Sequence, residues 1–251
     1  MRSRQWRGWL ILGLLVQAAC ELQPGPTTNP VQGDANLGTP AEVIAHAREL
    51  IRTDKLQEAR ELLDKHIAAN PSDATAFHLR GIAWMREGII YAAVKDLNAA
   101  AQIAPSTDIY YNLGNALQQG GYFDRAETAY RAALETAPDD PEILNNLAGA
   151  LIYQLRHDEA IGLLERVTEL RPNDPEAFCN LGIAYARIDD FAAAEAQLGR
   201  ALAIDAKYYP AVYNLAQIFL SQNREEEAAR ALEAENGRIQ LTGRTFDNPQ
   251  N

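Results

Sequence analysis

At 251 residues and 47% hydrophobic content the chain can bury an extensive core, and its formal charge of -11 denies it the basic surface that phosphate binding requires, so no nucleic-acid partner is expected. Its two cysteines, Cys20 and Cys179, lie in unrelated surroundings and build no zinc cluster, CxxC pair or disulfide framework. Four histidines without an HExxH arrangement, no nucleophile elbow and no glycine-rich phosphate loop leave no enzyme signature, and neither a cofactor nor a metal is expected.

Arg2, Arg4 and Arg7 precede a short apolar run from Trp9 to Val16 and then Gln17-Ala18-Ala19-Cys20. A basic start, an apolar core and a small-residue cleavage site read as a secretory signal peptide over residues 1–19. The run is too short to span a bilayer, which takes roughly 20 apolar residues. Losing that segment leaves 20 basic side chains against 34 acidic ones. Its ending resembles a bacterial lipobox, in which the cysteine is lipidated and becomes the mature N-terminus; Gln17 stands where that pattern usually has leucine. Ordinary cleavage near Ala19 beside an incidental Cys20 is the alternative. With lipid on Cys20, the next residue is Glu21 rather than the aspartate that resembles an inner-membrane retention signal, which favours the outer membrane. Residues 21–39, with Pro24, Pro26, Pro30 and three glycines, complete a tether over 20–39 whose span as a flexible coil is on the order of 25 Å.

The unit that organises the rest is 107–140. Tyr110, Leu113, Gly114 and Leu117, then Ala126, Tyr130 and Ala133, recur at helical spacing on either side of Gln119-Gly120-Gly121, a turn, and Pro138 ends the second block. Two short amphipathic helices so joined cannot bury their apolar face alone. Copies follow at 34 residues: Leu113, Leu147, Leu181 and Leu215 align, and the next position reads Gly114, Ala148, Gly182 and Ala216. Alanine recurs at 59, 93, 126, 160, 194 and 228, and proline at 71, 105, 138 and 172. The pattern resembles the tetratricopeptide-repeat family. The resemblance implies an all-α fold, a right-handed α-solenoid of six hairpins over 40–73, 74–106, 107–140, 141–174, 175–208 and 209–237, with a polar tail at 238–251. Repeat one departs most, with His46 where later repeats have leucine; repeat two has Arg80 there, and the second helix of repeat six is very polar.

In this family the first helices line the concave surface, and their sixth position reads Asn112, Asn146, Asn180 and Asn214. A carboxamide grips a peptide N–H and C=O together without reading sequence. The column resembles the asparagine ladder with which superhelical members hold extended peptides, although asparagine is also simply common at this position. Tyr111, Asn115, Asn145, Tyr213 and Gln217 flank it as further groove candidates. Arg48, Arg52, His78 and Arg86 read either as a basic end able to receive a carboxylate or as plain surface charge. Cys179 reads as a residue packed at a repeat junction, with a groove-facing thiol as the alternative.

Lipidated N-terminus, length and six repeats together resemble the small pilotin lipoproteins of type IV pilus systems, which help secretin subunits insert and assemble in the outer membrane. That resemblance implies an outer-membrane scaffold facing the periplasm, anchored through its lipid, with a protein or extended peptide partner, a secretin among the candidates. The alternative is a periplasmic adaptor for cell-wall or secretion enzymes. An enzyme using the groove as a substrate trough is disfavoured, since the repeats leave no second domain to host chemistry.

Overall fold

The computed structural model describes residues 38–233. The signal segment, Cys20, most of the tether and the C-terminal tail lie outside the described residues. Twelve helices follow one another: α1 (Pro40–Arg52), α2 (Leu56–Ala69), α3 (Ala74–Arg86), α4 (Ile90–Ile103), α5 (Thr107–Gln119), α6 (Phe123–Leu134), α7 (Pro141–Tyr153), α8 (His157–Leu170), α9 (Pro175–Arg187), α10 (Phe191–Ile204), α11 (Tyr209–Ser221) and α12 (Glu225–Glu233). They form six hairpins, and no strand occurs among the described residues.

The first helices have firm starts. Thr39 and Glu42 close a capping box on α1, and Asp73, Ser106, Asp140 and Asp174 accept backbone N–H bonds at the starts of α3, α5, α7 and α9. Proline occupies the first turn of α1, α7, α9 and α11, where its missing N–H costs nothing.

Within each hairpin the turn is one repeated device. The residue at positive φ is Asp54, Gly88, Gly121, Leu155, Asp189 or Asn223. Its N–H bonds three residues back, and the next N–H bonds five back, as in Gly121 to Gln118 and Tyr122 to Leu117. This is the Schellman closure, in which a left-handed residue satisfies the orphan carbonyls of the first helix. Gly88 and Gly121 adopt it freely. Leu155, at φ 63 and 78% exposed, holds a strained backbone and buries little in return. Leu155→Gly is expected to stabilise the chain by about 0.5–1 kcal/mol, the relief of strain outweighing glycine's freedom in the unfolded chain. The check is the urea midpoint, which should rise; an unchanged or lower midpoint contradicts the strain.

Helices pack only on those one or two along the chain. The core therefore comes in slices rather than as one centre. Ala59, Ala93, Ala126, Ala160 and Ala194 are fully buried, where a larger side chain would hold the two helices of a hairpin apart. The other small position works across the same interface. A Cβ on Gly81 or Gly182 would sit 2.8 Å from Leu97 or Leu198, and one on Gly114 would sit 2.4 Å from the ring of Tyr130.

Repeat two replaces the usual leucine by Arg80. The guanidinium forks onto Asp96 through Nε (2.6 Å) and Nη2 (2.8 Å), while Nη1 reaches Asp64 at 2.6 Å. Asp96 is 3% exposed. Arg80 on α3 thus ties α2 to α4 across a desolvated pair of charges.

Candidate functional groove

The backbones of successive first helices approach one another, α1 to α3 and on to α9 and α11, whereas those of successive second helices do not. The first helices therefore form the inner, concave row, and the positions singled out above belong to it.

The four asparagines spend amide protons on the protein itself, and only Asn180 keeps one of its two without an acceptor among the described residues. Asn112 Nδ2 donates to His78 Nε2 (2.9 Å) and to the Asp108 carbonyl (2.9 Å). Asn146 Nδ2 donates to Asn115 Oδ1 (3.0 Å) and the Tyr111 hydroxyl (3.4 Å). Asn180 Nδ2 donates to Asn145 Oδ1 (2.8 Å), and Asn214 Nδ2 to the Pro210 carbonyl (2.7 Å) and Cys179 Sγ (3.9 Å). His78, Tyr111, Asn145 and Cys179 all occupy the fifth position of the preceding first helix. Each asparagine is thus a rung between neighbouring repeats. The four Oδ1 atoms accept no bond among the described residues and are not sealed from solvent, so the column offers acceptors to the groove.

The flanking candidates divide. Asn115, Tyr111 and Asn145 take part in the rungs. Tyr213 holds the same fifth position in the last repeat and is 45% exposed. Gln217 is half-buried on α11 without a hydrogen bond among the described residues. One participant was not anticipated. Tyr130, on the second helix of repeat three, passes its ring beside Gly114 and donates its hydroxyl to Asn115 Oδ1 at 2.7 Å, with Gln118 Oε1 at 3.1 Å. Burial raises its phenol pKa above the ordinary value, so it stays protonated and donating.

A cleft of about 240 Å³ opens where the first helices of repeats three to five meet. Tyr111, Asn145, Asn146 and Asn180 line it, together with the exposed Glu142 and Glu176. Asp108, Glu142 and Glu176 share the second helical position, a periodic row visible in the sequence but not singled out there.

The N-terminal end is less basic than its residues suggest. Arg52 pairs with Glu49 at 2.6 Å, and Arg86 with Asp54 at 2.8 Å and with the Ile51 carbonyl. Burial holds the His78 imidazole below its ordinary pKa; Asp108 acts against this and Arg48 with it. A neutral Nε2 is what accepts the Asn112 proton. Cys179 is 1% exposed, and burial pushes its thiol up to about 11, so it is packed and unreactive at neutral pH.

A solenoid of helical hairpins with an amide column along the first helices of repeats three to six defines an interaction scaffold. The chain belongs to the tetratricopeptide-repeat family, matched over residues 44–107, 111–175 and 179–237. Such chains are in general protein-binding scaffolds rather than enzymes. Among curated proteins it is 25% identical over 179 residues to the BBSome complex member BBS4 of Bos taurus, covering 71% of this chain and 34% of that one. It is 29% identical over 141 residues to the cytochrome c-type biogenesis protein CycH of Rhizobium meliloti, covering 55% and 37%. The matched part is thus about a third of either relative's length. Among solved structures it resembles YrrB, described as a tetratricopeptide-repeat protein with an unusual peptide-binding site, at a TM-score of 0.62 and 25% identity over 68% of this chain and 89% of that one. A repeat protein from Parabacteroides merdae shares the fold at a TM-score of 0.70 and 15% identity, with 77% of each chain covered.

Proposed function

We propose that this chain is a cell-envelope scaffold, held at the outer membrane by lipid on Cys20, whose concave groove grips an extended segment of a protein partner. A secretin of a type IV pilus system is the partner favoured by the pilotin-like order of signal segment, cysteine, tether and repeats. The observation that carries the groove reading is the amide column. All but one of its donors are already spent on the preceding repeat or on the asparagine's own helix, so its acceptors are set in place before a partner arrives, and binding does not have to order them. Among the described residues no helix is long and apolar enough to cross a membrane, which leaves attachment to the N-terminal lipid in this reading.

Two measurements test it. Gly149 lies on α7, and a Cβ there meets only Gln118 Nε2 at 3.5 Å, so Gly149→Trp fills the groove without entering the core. Capture of secretin from envelope extracts should fall at least about tenfold in Gly149→Trp relative to the parent chain. Undiminished capture overturns the groove, and an enzyme captured in place of secretin supports the adaptor alternative. Labelled palmitate should enter the parent chain and not Cys20→Ala; no label in the parent overturns the anchor.

A further inference from the structure

We infer that the segment this groove holds is cationic, with a lysine or arginine side chain seated in the cleft between the first helices of repeats three to five. The inference rests on the groove reading and adds the chemistry of its occupant. Two independent features point the same way.

The first is hydrogen-bond polarity. At Asn112 and Asn214 the amide orientation is fixed, because the Asp108 and Pro210 carbonyls only accept. Asn146 and Asn180 turn Nδ2 to the preceding repeat in the same sense, Asn180 with one of its two protons. What the column turns towards a partner is therefore four amide oxygens against one spare Asn180 proton, and oxygen asks for a donor. An ammonium brings three donors and a guanidinium five.

The second is charge. The cleft is lined by Glu142, Asp174 and Glu176 against a single cation, Arg171. That cation is already engaged, 3.3 Å from Glu142 and 3.6 Å from Asp174. Glu176 has no basic partner among the described residues. Asp140 and Asp174 already cap α7 and α9, so the helix starts do not depend on Glu142 or Glu176. An anionic side chain entering here meets carboxylates with no free cation to receive it, and only the neutral donors of Asn145, Asn180 and Tyr111. A cationic one meets charge-assisted acceptors at its tip, while Val167, Ala177 and the Tyr111 ring flank its methylene stem. Asp108, at the same helical position as the two glutamates, extends the acidic edge into repeat three.

The test uses the full chain and three fluorescein-labelled nine-residue peptides, identical Gly-Ser sequences carrying three arginines, three glutamines or three glutamates. Anisotropy at about 0.15 M salt, where screening reaches ~8 Å, should give the arginine peptide about tenfold tighter binding than the glutamine peptide, and none for the glutamate peptide. Glu142→Gln with Glu176→Gln should remove that preference. Glu58→Gln with Glu61→Gln, the same charge change on the outer helix α2, should leave it intact. Equal binding of arginine and glutamine peptides, both lost in Gly149→Trp, keeps the groove and overturns the cationic preference. Arginine-peptide binding that survives Gly149→Trp and the inner double variant is diffuse attraction to an acidic chain, and overturns it too. So does the absence of binding by all three.

Discussion

Replacing Arg80 by leucine, the residue at the same position in repeats three to six, is expected to destabilise the chain by about 3–5 kcal/mol. Leucine suits that site everywhere else, so the loss comes from what the change leaves behind. Asp96 is 3% exposed and takes both oxygens' bonds from Arg80, so without the guanidinium it is an uncompensated charge in the core. Asp96→Ala should cost less, because Arg80 retains Asp64 at 2.6 Å, a carboxylate that reaches solvent. The double variant Arg80→Leu with Asp96→Ala recreates the Leu113 and Ala129 pairing of repeat three and should return to within about 1 kcal/mol of the parent. Urea unfolding followed by circular dichroism closes the cycle. A single-variant cost below about 1 kcal/mol for Arg80→Leu contradicts it.

The second large effect lies at Gly114. A methyl group there falls 2.4 Å from a ring carbon of Tyr130, which is fully buried and anchored by its hydroxyl on Asn115. The ring cannot yield without breaking that bond. Gly114→Ala should therefore destabilise by about 2–3 kcal/mol, even after alanine's helix preference of up to about 1 kcal/mol is credited. Gly162→Ala and Gly199→Ala, at helical glycines with open space around them, should instead stabilise by up to about 1 kcal/mol. Gly114→Ala with Tyr130→Leu copies the Ala148 and Leu164 pairing of repeat four and should recover most of the loss, while removing the hydroxyl from Asn115. Thermal melts of the four variants give the comparison. A Gly114→Ala chain as stable as Gly162→Ala would show that the helices separate freely.

These two sites also mark how far the sequence was readable. The hairpins were legible because leucine, alanine and glycine at 34-residue spacing report an environment that recurs, and the local 3.6-residue pattern reports the helices. Arg80 was legible as a departure, but not its partner. Asp96 lies 16 residues on, on another helix, and looks like any surface carboxylate until the hairpin closes. The asparagine column was legible as a column. The direction of its amides was not, because periodicity says that four residues share a setting and not which atoms face inwards. Its rungs end on histidine, tyrosine, asparagine and cysteine, a set with no common letter to find. Tyr130 read as one more apolar residue of a second helix, since only its packing beside Gly114 carries its hydroxyl to the inner row. Of the two readings of the N-terminal basic residues, plain surface charge fits Arg52 and Arg86, because Glu49 and Asp54 sit close enough to neutralise them.

The junctions between hairpins carry a last consequence. Asp140 caps α7 through the N–H of Glu142, and Asp174 caps α9 through the N–H of Glu176, each across an Asp-Pro-Glu sequence. Because no helix contacts another more than two along the chain, the bond that closes one junction would close the other equally well. A lineage carrying this chain can gain or shed residues in blocks of 34 and meet the same seam each time. Its number of repeats is thus an adjustable length, not one fixed by the stability of a closed core.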